Sequence, residues 1–438
     1  MPSLSNRSAI SSNQTLQRIS TSQLRPGMFL VRVLDSWWKS PFFIHRRLLN
    51  SVTEIEQLMH SGIREVEIDI SLGVGVASTE DSGLEECLPA ESDTFPVSVN
   101  HDDSTMTPPP TVMLEPSHET ESNAEDTRIR EEVVQVREAV MAAVEDAFEG
   151  VKTGQEISHQ EVYQSAQALV QQCLAHPGLI AEIMLIDSLK QFDKTLYAHV
   201  VDTSVYSILV GLQLGWDEGS LETIGLAGLL HDVGYMRLPK NVVAVHWDRG
   251  GEARLLQQHV AIGEKLLQRH AQFSSDIVRI VSEHHAYQDG SGYPEGLGGA
   301  WLSESGKLLG LVDAFDELMT VGGTSGALPA AFAIRRLYQE AQQGKFSTGC
   351  IEGLIRTLGV FPVGTVVQLS TGEQAVVVQQ HSDGGVKPLV KIFRATTGKD
   401  VDVPYLCNLA HDANLGHDRS IVRVLDPTEY SLNLQEFF

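Results

Sequence analysis

The chain has few cysteines, and their spacing suits neither a disulfide framework nor a structural zinc site. Its 438 residues contain four cysteines, and no two of them form a Cys-x-x-Cys pair. A zinc knuckle needs such pairs, and a disulfide framework needs a denser set of cysteines. The sequence therefore favours a reducing compartment, in which thiols stay free. The four cysteines are Cys87, Cys173, Cys350 and Cys407.

The sequence also lacks a long apolar run. Residues 1–20 are polar and contain no apolar stretch of the kind found in secretory signal peptides. No uninterrupted apolar segment elsewhere approaches the roughly 20 residues that a membrane-spanning helix needs. We therefore expect a cytoplasmic protein that is neither exported nor inserted into a membrane.

Positive charge is scarce: 32 Lys and Arg stand against 57 Asp and Glu, for a net charge of −25. Residues 74–126 contain 13 of the acidic residues, six prolines and no Lys or Arg. Such a segment cannot bury enough apolar surface to fold, so we expect a disordered linker there. The acidic balance argues against binding polymeric nucleic acid or an anionic membrane. It does not exclude a small nucleotide held through metal ions.

The remaining sequence divides into three domains. Residues 14–73 combine two strand-like segments with one amphipathic helix, which indicates a small α+β accessory domain. Residues 127–358 show apolar positions at helical spacing, and no strands alternate with these helices. Short β-branched runs follow, so residues 359–438 are predicted to be a β-rich extension. The expected fold class is multidomain and mainly α.

The helical part can be divided further. A first helix face runs from Ile129 to Phe148, and Ser158-x-x-Glu161 has the spacing of a capping box for the next helix. Further helices are predicted at about 179–191, 194–214, 220–231, 251–270, 274–286, 304–319, 328–343 and 348–358.

The dipeptide His-Asp occurs four times, and its context separates one copy from the others. His101-Asp102 lies in the predicted linker, while His411-Asp412 and His417-Asp418 lie in a polar loop. His231-Asp232 instead ends the apolar helix Ile224–Leu230. Polar groups buried at such a place need partners, and a metal ion is one candidate.

Other polar residues occur on apolar helices of the same domain. His284 and His285 end a helix that has an apolar face, and His199, His259 and Asp313 are polar residues on other apolar helices. Adjacent residues on a helix point about 100° apart, so two neighbouring histidines reach one site only at a helix end. Each of these groups could instead be a core residue satisfied by hydrogen bonds.

Taken together, these segments resemble the HD-GYP domains, a branch of the HD metal-dependent phosphohydrolases. The resemblance covers about residues 185–345, and residues 16–73 look like a small accessory domain that often precedes HD-GYP. The matching segments are His231-Asp232-Val233-Gly234, His284-His285-x-x-x-Asp289-Gly290-Ser291-Gly292-Tyr293-Pro294, His259 with Gly263, and Asp313-x-x-Asp316.

The resemblance implies a two-metal site, with His231 and Asp232 as the catalytic pair. It implies that a metal-bridging hydroxide hydrolyses cyclic di-GMP to the linear dinucleotide pGpG, to GMP, or to both. Iron and manganese suit a ligand set of imidazoles and carboxylates without thiolates. One ion would be held by His199, His231, Asp232 and Asp313, and the second by the bridging Asp232 with His259, His284 and His285.

Some positions depart from the family pattern. Thr195 stands where members with a third metal have Glu, which favours two metals, and Tyr235 replaces a lysine. The Arg-Pro-Tyr-Arg stretch expected after Asp316 is missing. Two alternatives therefore remain: a sensor or scaffold for a GGDEF-domain diguanylate cyclase, and a hydrolase of another nucleotide. Substrate contacts are expected at Asp289, Gly290, Gly292, Tyr293, Pro294 and Tyr235, and no oligomeric state follows from the sequence.

Overall fold

The computed structural model describes most of the chain in three successive units: an N-terminal α+β unit, a helical unit and a C-terminal sheet. This order agrees with the multidomain, mainly α fold class predicted from the sequence. The described residues are 16–33, 47–49, 52–60, 63–70, 119–190, 195–239, 254–320, 327–380, 386–412, 419–430 and 432–438.

The N-terminal unit is an antiparallel sheet of order β1-β4-β2-β3 with one helix. Its core consists of alternate strand residues and one helix face, among them Leu30, Leu58, Val66 and Ile68, all with no exposed surface. The elements are β1 (Leu16–Ser20), β2 (Phe29–Val33), β3 (Arg47–Leu48), α1 (Val52–His60) and β4 (Glu65–Asp69).

The first helix of the helical unit begins earlier than predicted. It starts at Glu119, inside the segment 74–126 that we expected to be a linker, and residues 71–118 lie outside the described ranges. The first eight residues of the helix carry no periodic apolar positions, so hydrophobic spacing could not reveal them. The helix therefore begins eight residues before the predicted boundary at residue 127.

Most other helix bounds fall within three residues of the prediction. The helix predicted at 251–270 begins only at Gln258. Ser158 is the N-cap of its helix but forms no side-chain capping bond, so the predicted capping box is absent. The helices are α2 (Glu119–Thr153), α3 (His159–Ala175), α4 (Pro177–Lys190), α5 (Leu196–Gln213), α6 (Glu218–Leu230), α7 (Gln258–Gln268), α8 (Ser275–Glu283), α9 (Glu304–Thr320), α10 (Ala330–Gln342) and α11 (Thr348–Leu358).

Helices α5 and α6 form the centre of the helical unit. Every residue of α5 from Ala198 to Gly211 is buried, including several polar ones. A glycine lets the two helices approach closely, because a Cβ at Gly228 would lie 2.7 Å from Ser204 Cα. The contact fixes the end of α6 that precedes His231.

The C-terminal unit is a five-stranded antiparallel sheet of order β8-β7-β6-β5-β9. Three of its strands were predicted from the sequence. Strand β8 was not predicted because polar residues and a proline interrupt it, and β9 was not predicted because it follows a polar loop. A fully buried core of Val367, Val377, Val390 and Ile392 also includes Ala331 of α10. The strands are β5 (Val366–Leu369), β6 (Gln374–Gln379), β7 (Leu389–Arg394), β8 (Asp400–Asn408) and β9 (Ile421–Leu425), with α12 (Leu409–Asp412) between the last two.

None of the described helices alone is both long and apolar enough to span a membrane. Helix α3 and Pro177–Leu189 together have that length and apolar composition, with a bend of 112° between the two parts.

A buried ion pair ties α2 to α5. Arg137 donates from Nε and Nη2 to Asp202 Oδ1, at 2.9 and 2.6 Å, and both residues are buried. Removing one partner of such a pair leaves an uncompensated charge in the core, which costs more than the intact pair contributes.

We predict that Arg137→Ala lowers the free energy of unfolding by about 3–5 kcal/mol, because the Asp202 carboxylate loses its counter-ion. The matched control is Arg336→Ala, which breaks a half-buried pair with Glu340 in α10 and should cost only about 0.5 kcal/mol. Urea unfolding of both variants measures the difference. Equal losses would contradict a special role for the buried pair.

A second prediction concerns the contact between α7 and the 3₁₀ helix Val233–Arg237. A Cβ at Gly234 would lie 2.0 Å from the backbone oxygen of His259, whereas a Cβ at Gly263 meets nothing closer than 3.6 Å. Gly234→Ala should therefore force the two segments apart and cost at least about 1–3 kcal/mol. Gly263→Ala, measured by the same unfolding experiment, should change stability by less than about 1 kcal/mol. A tolerated Gly234→Ala would show that this approach is not tight.

Candidate metal centre

The seven side chains predicted as metal ligands lie together in the core of the helical unit. They form two groups that could each hold a metal ion, and within each group the ligand atoms lie within 4.8 Å of one another. All seven residues are buried. The first group is His199, His231 and Asp313, and the second is Asp232, His259, His284 and His285.

The local fold explains why adjacent residues can reach the same site. His231 is the C-cap of α6 and His284 is the C-cap of α8, so the residue after each of them leaves the helix. Asp232 then starts the 3₁₀ helix Val233–Arg237. This agrees with the expectation that two neighbouring histidines need a helix end to share a site.

The carboxylate of Asp232 lies between the two groups. Its Oδ2 is 3.4 Å from Nε2 of His231 and 3.7 Å from Nε2 of His199. Its Oδ1 is 3.3 Å from Nε2 of His259 and 3.7 Å from Nε2 of His284. Each oxygen therefore faces a different group of histidines.

Backbone hydrogen bonds fix the tautomer of three histidines. In each of them Nδ1 contacts the carbonyl oxygen three residues earlier in the chain, and a carbonyl can only accept. Nδ1 therefore carries the proton in the neutral ring, and Nε2 presents a lone pair to the site. The contacts are His231 to Gly228 at 2.8 Å, His259 to Leu256 at 2.6 Å and His284 to Val281 at 2.6 Å.

The resulting arrangement of acceptors fits a cation. Nε2 of His259 and Nε2 of His284 are only 3.1 Å apart, so two lone pairs face each other. Nε2 of His231 and Oδ1 of Asp232 are buried and make no hydrogen bond. Buried polar atoms without hydrogen-bond partners are costly, and a divalent metal bound by imidazoles and carboxylates removes that cost.

Burial and neighbouring charge set the protonation of the site. Burial, reinforced by His231 and His259, lowers the pKa of His284 to about 3, and burial lowers the pKa of His285 as well. These rings are neutral, as metal ligands must be. For His231, burial is outweighed by Asp232 and Asp313, which raise its pKa to about 10. A cation bound there would replace that proton.

His199 is held by two carboxylates of α9. Its Nε2 lies 3.0 Å from Asp313 Oδ1, and its Nδ1 lies 2.7 Å from Asp316 Oδ2. Asp316 was recognised in the sequence as part of the Asp-x-x-Asp motif, but no role was assigned to it. The three-residue spacing was the available signal, since it places both carboxylates on one helix face.

Glu283 is a further residue that the sequence analysis missed. It is buried at the end of α8 and accepts hydrogen bonds from Arg279 Nε at 2.7 Å and Ser303 N at 2.9 Å. Gly306 makes room for it, because a Cβ there would lie 2.2 Å from Glu283 Oε2. Glu283 thereby joins the start of α9 to the end of α8 that carries His284.

The predicted substrate loop borders His285. The Tyr293 ring lies 4.7 Å from the His285 ring between centroids, and Tyr293 N donates to the His285 carbonyl at 3.0 Å. Gly292 has a φ of +91°, and a Cβ there would lie 2.2 Å from that carbonyl oxygen. Gly290 has a φ of +81°, and the peptide bond between Tyr293 and Pro294 is cis. Glycine at positions 290 and 292 therefore allows the backbone of this loop to lie against the site.

Two of the residues predicted to contact substrate have close partners within the protein. Asp289 folds back on its own loop and accepts from Ser291 N at 2.9 Å and Ser291 Oγ at 2.6 Å. Tyr235 is only 2% exposed, and its ring stacks on His259 with centroids 4.1 Å apart. The 3₁₀ helix after Asp232 turns Tyr235 inward, onto the ring of His259.

Thr195 stands at the position where HD-GYP proteins with a third metal have Glu, and in this structure it caps a helix. It is the N-cap of α5, and its side chain accepts a hydrogen bond from Ala198 N at 3.2 Å. The cap fixes the first turn of the helix that carries His199.

Comparison with known proteins connects this site to a family. Residues 182–348 match the HD domain, and residues 366–433 match a KOW domain associated with the HD domain. Residues 16–162 match a domain of unknown function, DUF3391. This last match extends past the predicted boundary at residue 73, through α2 and into α3.

Curated relatives carry names of cyclic-dinucleotide phosphodiesterases. The chain is 29% identical to cyclic di-GMP phosphodiesterase PA4108 of Pseudomonas aeruginosa, over 89% of this chain and 87% of that protein. It is 32% identical to the cyclic di-GMP phosphodiesterase response regulator RpfG of Xanthomonas campestris, over 34% of this chain and 39% of that protein. It is 25% identical to 3'3'-cGAMP-specific phosphodiesterase 3 of Vibrio cholerae, over 45% of each chain. By these matches residues 182–348 are similar to HD domains.

Proposed function

We propose that this protein is a metal-dependent phosphodiesterase that hydrolyses cyclic di-GMP in the cytoplasm. The observation that carries the proposal is the convergence of seven buried His and Asp side chains, several of whose acceptor atoms face one another. The relative from Pseudomonas aeruginosa, similar over most of both chains, is named as an enzyme of this activity. The HD-GYP motifs of the sequence support the same substrate.

In this proposal the two groups of residues would hold two divalent ions. His199, His231 and Asp313 would hold the first, and His259, His284 and His285 would hold the second. Asp232 would be shared between them, because its two oxygens face different groups at 3.3–3.7 Å. When bound, two such ions activate a water molecule and neutralise charge on the phosphodiester.

The protein residues keep the ligands in place and exclude bulk water. Backbone carbonyls orient three of the histidines, and all seven candidate ligands are buried. Tyr293, half-buried beside His285, is the substrate-loop residue best placed to contact a nucleotide. Imidazole and carboxylate donors without thiolate favour iron or manganese. The proposed products are pGpG, GMP or both.

A second candidate substrate is another cyclic dinucleotide. The family lysine is replaced by Tyr235, whose buried ring lies under His259. A cation that would contact substrate phosphate is therefore missing at this position. One relative from Vibrio cholerae is named as specific for 3'3'-cGAMP, so that dinucleotide is the natural alternative. A sensor or scaffold role, with a GGDEF-domain diguanylate cyclase as partner, would leave metal binding intact but not hydrolysis.

The metal assignment predicts that Asp232→Ala loses most of the bound metal, because both ions share this carboxylate. His231→Ala should lose at least one ion per chain. Elemental analysis of anaerobically purified protein measures the content. His411→Ala is the matched control, since His411 is exposed on α12 and should leave the metal content unchanged. Full occupancy in Asp232→Ala protein would refute the bridging role.

The proposed activity predicts hydrolysis of cyclic di-GMP by metal-loaded protein and loss of at least 10²-fold in kcat for His231→Ala. Each lost ligand weakens the site and misplaces the remaining ones. Chromatography of reactions with cyclic di-GMP and 3'3'-cGAMP, side by side, identifies the substrate and the product. Turnover of only 3'3'-cGAMP would move the assignment to that dinucleotide. A protein that binds two metals and hydrolyses neither would favour the sensor or scaffold role.

A further inference from the structure

His199 differs from three other candidate ligands in the partner of its Nδ1 atom. His231, His259 and His284 contact backbone carbonyl oxygens through Nδ1, which are neutral acceptors. Nδ1 of His199 instead lies 2.7 Å from Oδ2 of Asp316. Asp316 has no exposed surface, so water does not weaken this hydrogen bond.

A buried carboxylate that is hydrogen-bonded to Nδ1 of a histidine changes how strongly that histidine binds a metal ion through Nε2. It holds the proton on Nδ1, fixes the ring so that Nε2 faces the site, and raises the electron density on Nε2. In His199 this Nε2 atom lies 3.0 Å from Asp313 Oδ1. His199 is therefore a more basic ligand than a histidine bonded only to a carbonyl.

The two metal positions consequently differ in negative charge. The group of His199, His231 and Asp313 contains one carboxylate and has Asp316 behind it. The other group contains three histidines and Asp232, and Asp232 borders both groups. Hard divalent cations such as Mn²⁺ prefer carboxylate-rich positions. The charge distribution thus favours the His199 position for Mn²⁺.

We propose that Asp316 is a positioning residue that makes the His199 position the tighter of the two, so that Mn²⁺ ions bind in a fixed order. The inference rests on the proposed two-ion site but not on the identity of the substrate. Asp316 acts through His199 and does not touch the ion. Asp313 and Asp316 lie three residues apart on α9, so one helix supplies both a ligand and the support of another ligand.

The test is a titration of metal-free full-length protein with Mn²⁺ under anaerobic conditions, followed by electron paramagnetic resonance of free and bound Mn²⁺. Wild-type protein should bind two ions with dissociation constants at least tenfold apart. Asp316→Asn keeps the size of the side chain and an oxygen acceptor but removes the charge. It should weaken the tight step at least tenfold and change the weak step less than threefold. The spectrum of the first bound ion should change as well.

Two further variants separate this role from a purely structural one. His259→Ala should abolish the weak step and retain the tight step. Asp202→Asn removes charge from a buried carboxylate outside the site, so it should lower the unfolding temperature and leave both dissociation constants within threefold. If Asp316→Asn behaves like Asp202→Asn, Asp316 serves only stability and the inference is wrong.

The wild-type titration alone can also overturn the inference. Two equal dissociation constants would do so even if Asp316→Asn fails to fold. An equal weakening of both steps in Asp316→Asn would contradict a role at one position. Protein that binds two ions in order but hydrolyses no cyclic dinucleotide would disprove the proposed function and support this inference. Protein that hydrolyses a cyclic dinucleotide but binds two ions with equal dissociation constants would support the proposed function and disprove this inference.

Discussion

The site depends on the cost of burying polar acceptors in an apolar core. Seven His and Asp side chains lie inside the helical unit, the Nε2 lone pairs of His259 and His284 face each other, and Asp232 Oδ1 has no hydrogen-bond donor. Apolar packing from α5 and α6 must offset that cost as long as no cation is bound. Gly228 contributes to this packing, because it lets α6 lie close against Ser204 of α5.

The fold meets this constraint by ending its helices at the site. The C-terminal ends of α6 and α8 supply adjacent ligand pairs, the start of α7 supplies His259, and α9 supplies Asp313 from its interior. Glu283 joins α8 to α9 beside the ligands. Each ligand therefore comes from a helix that is packed against its neighbours, which keeps the arrangement rigid before any ion binds.

The sequence was sufficient to predict the order of the units and the residues that converge. The ligands could be found because a polar residue in an apolar helix is conspicuous, and because the motifs have a fixed spacing. Properties that depend on tertiary direction could not be predicted. The inward turn of Tyr235 depends on the 3₁₀ geometry after Asp232, and the role of Asp316 depends on how α5 and α9 cross. The start of α2 at Glu119 was missed because its first residues lack apolar spacing.

Helix α2 has a consequence for how this protein can be divided or recombined. The DUF3391 match runs to residue 162, yet α2 contributes Arg137, Val140, Val144 and Phe148 to the core of the helical unit. A chimera joined at the end of that match would therefore exchange part of the core of the helical unit together with the N-terminal unit. The matched segment and the folding unit overlap along this helix, so a junction that keeps the helical core intact must lie before Glu119.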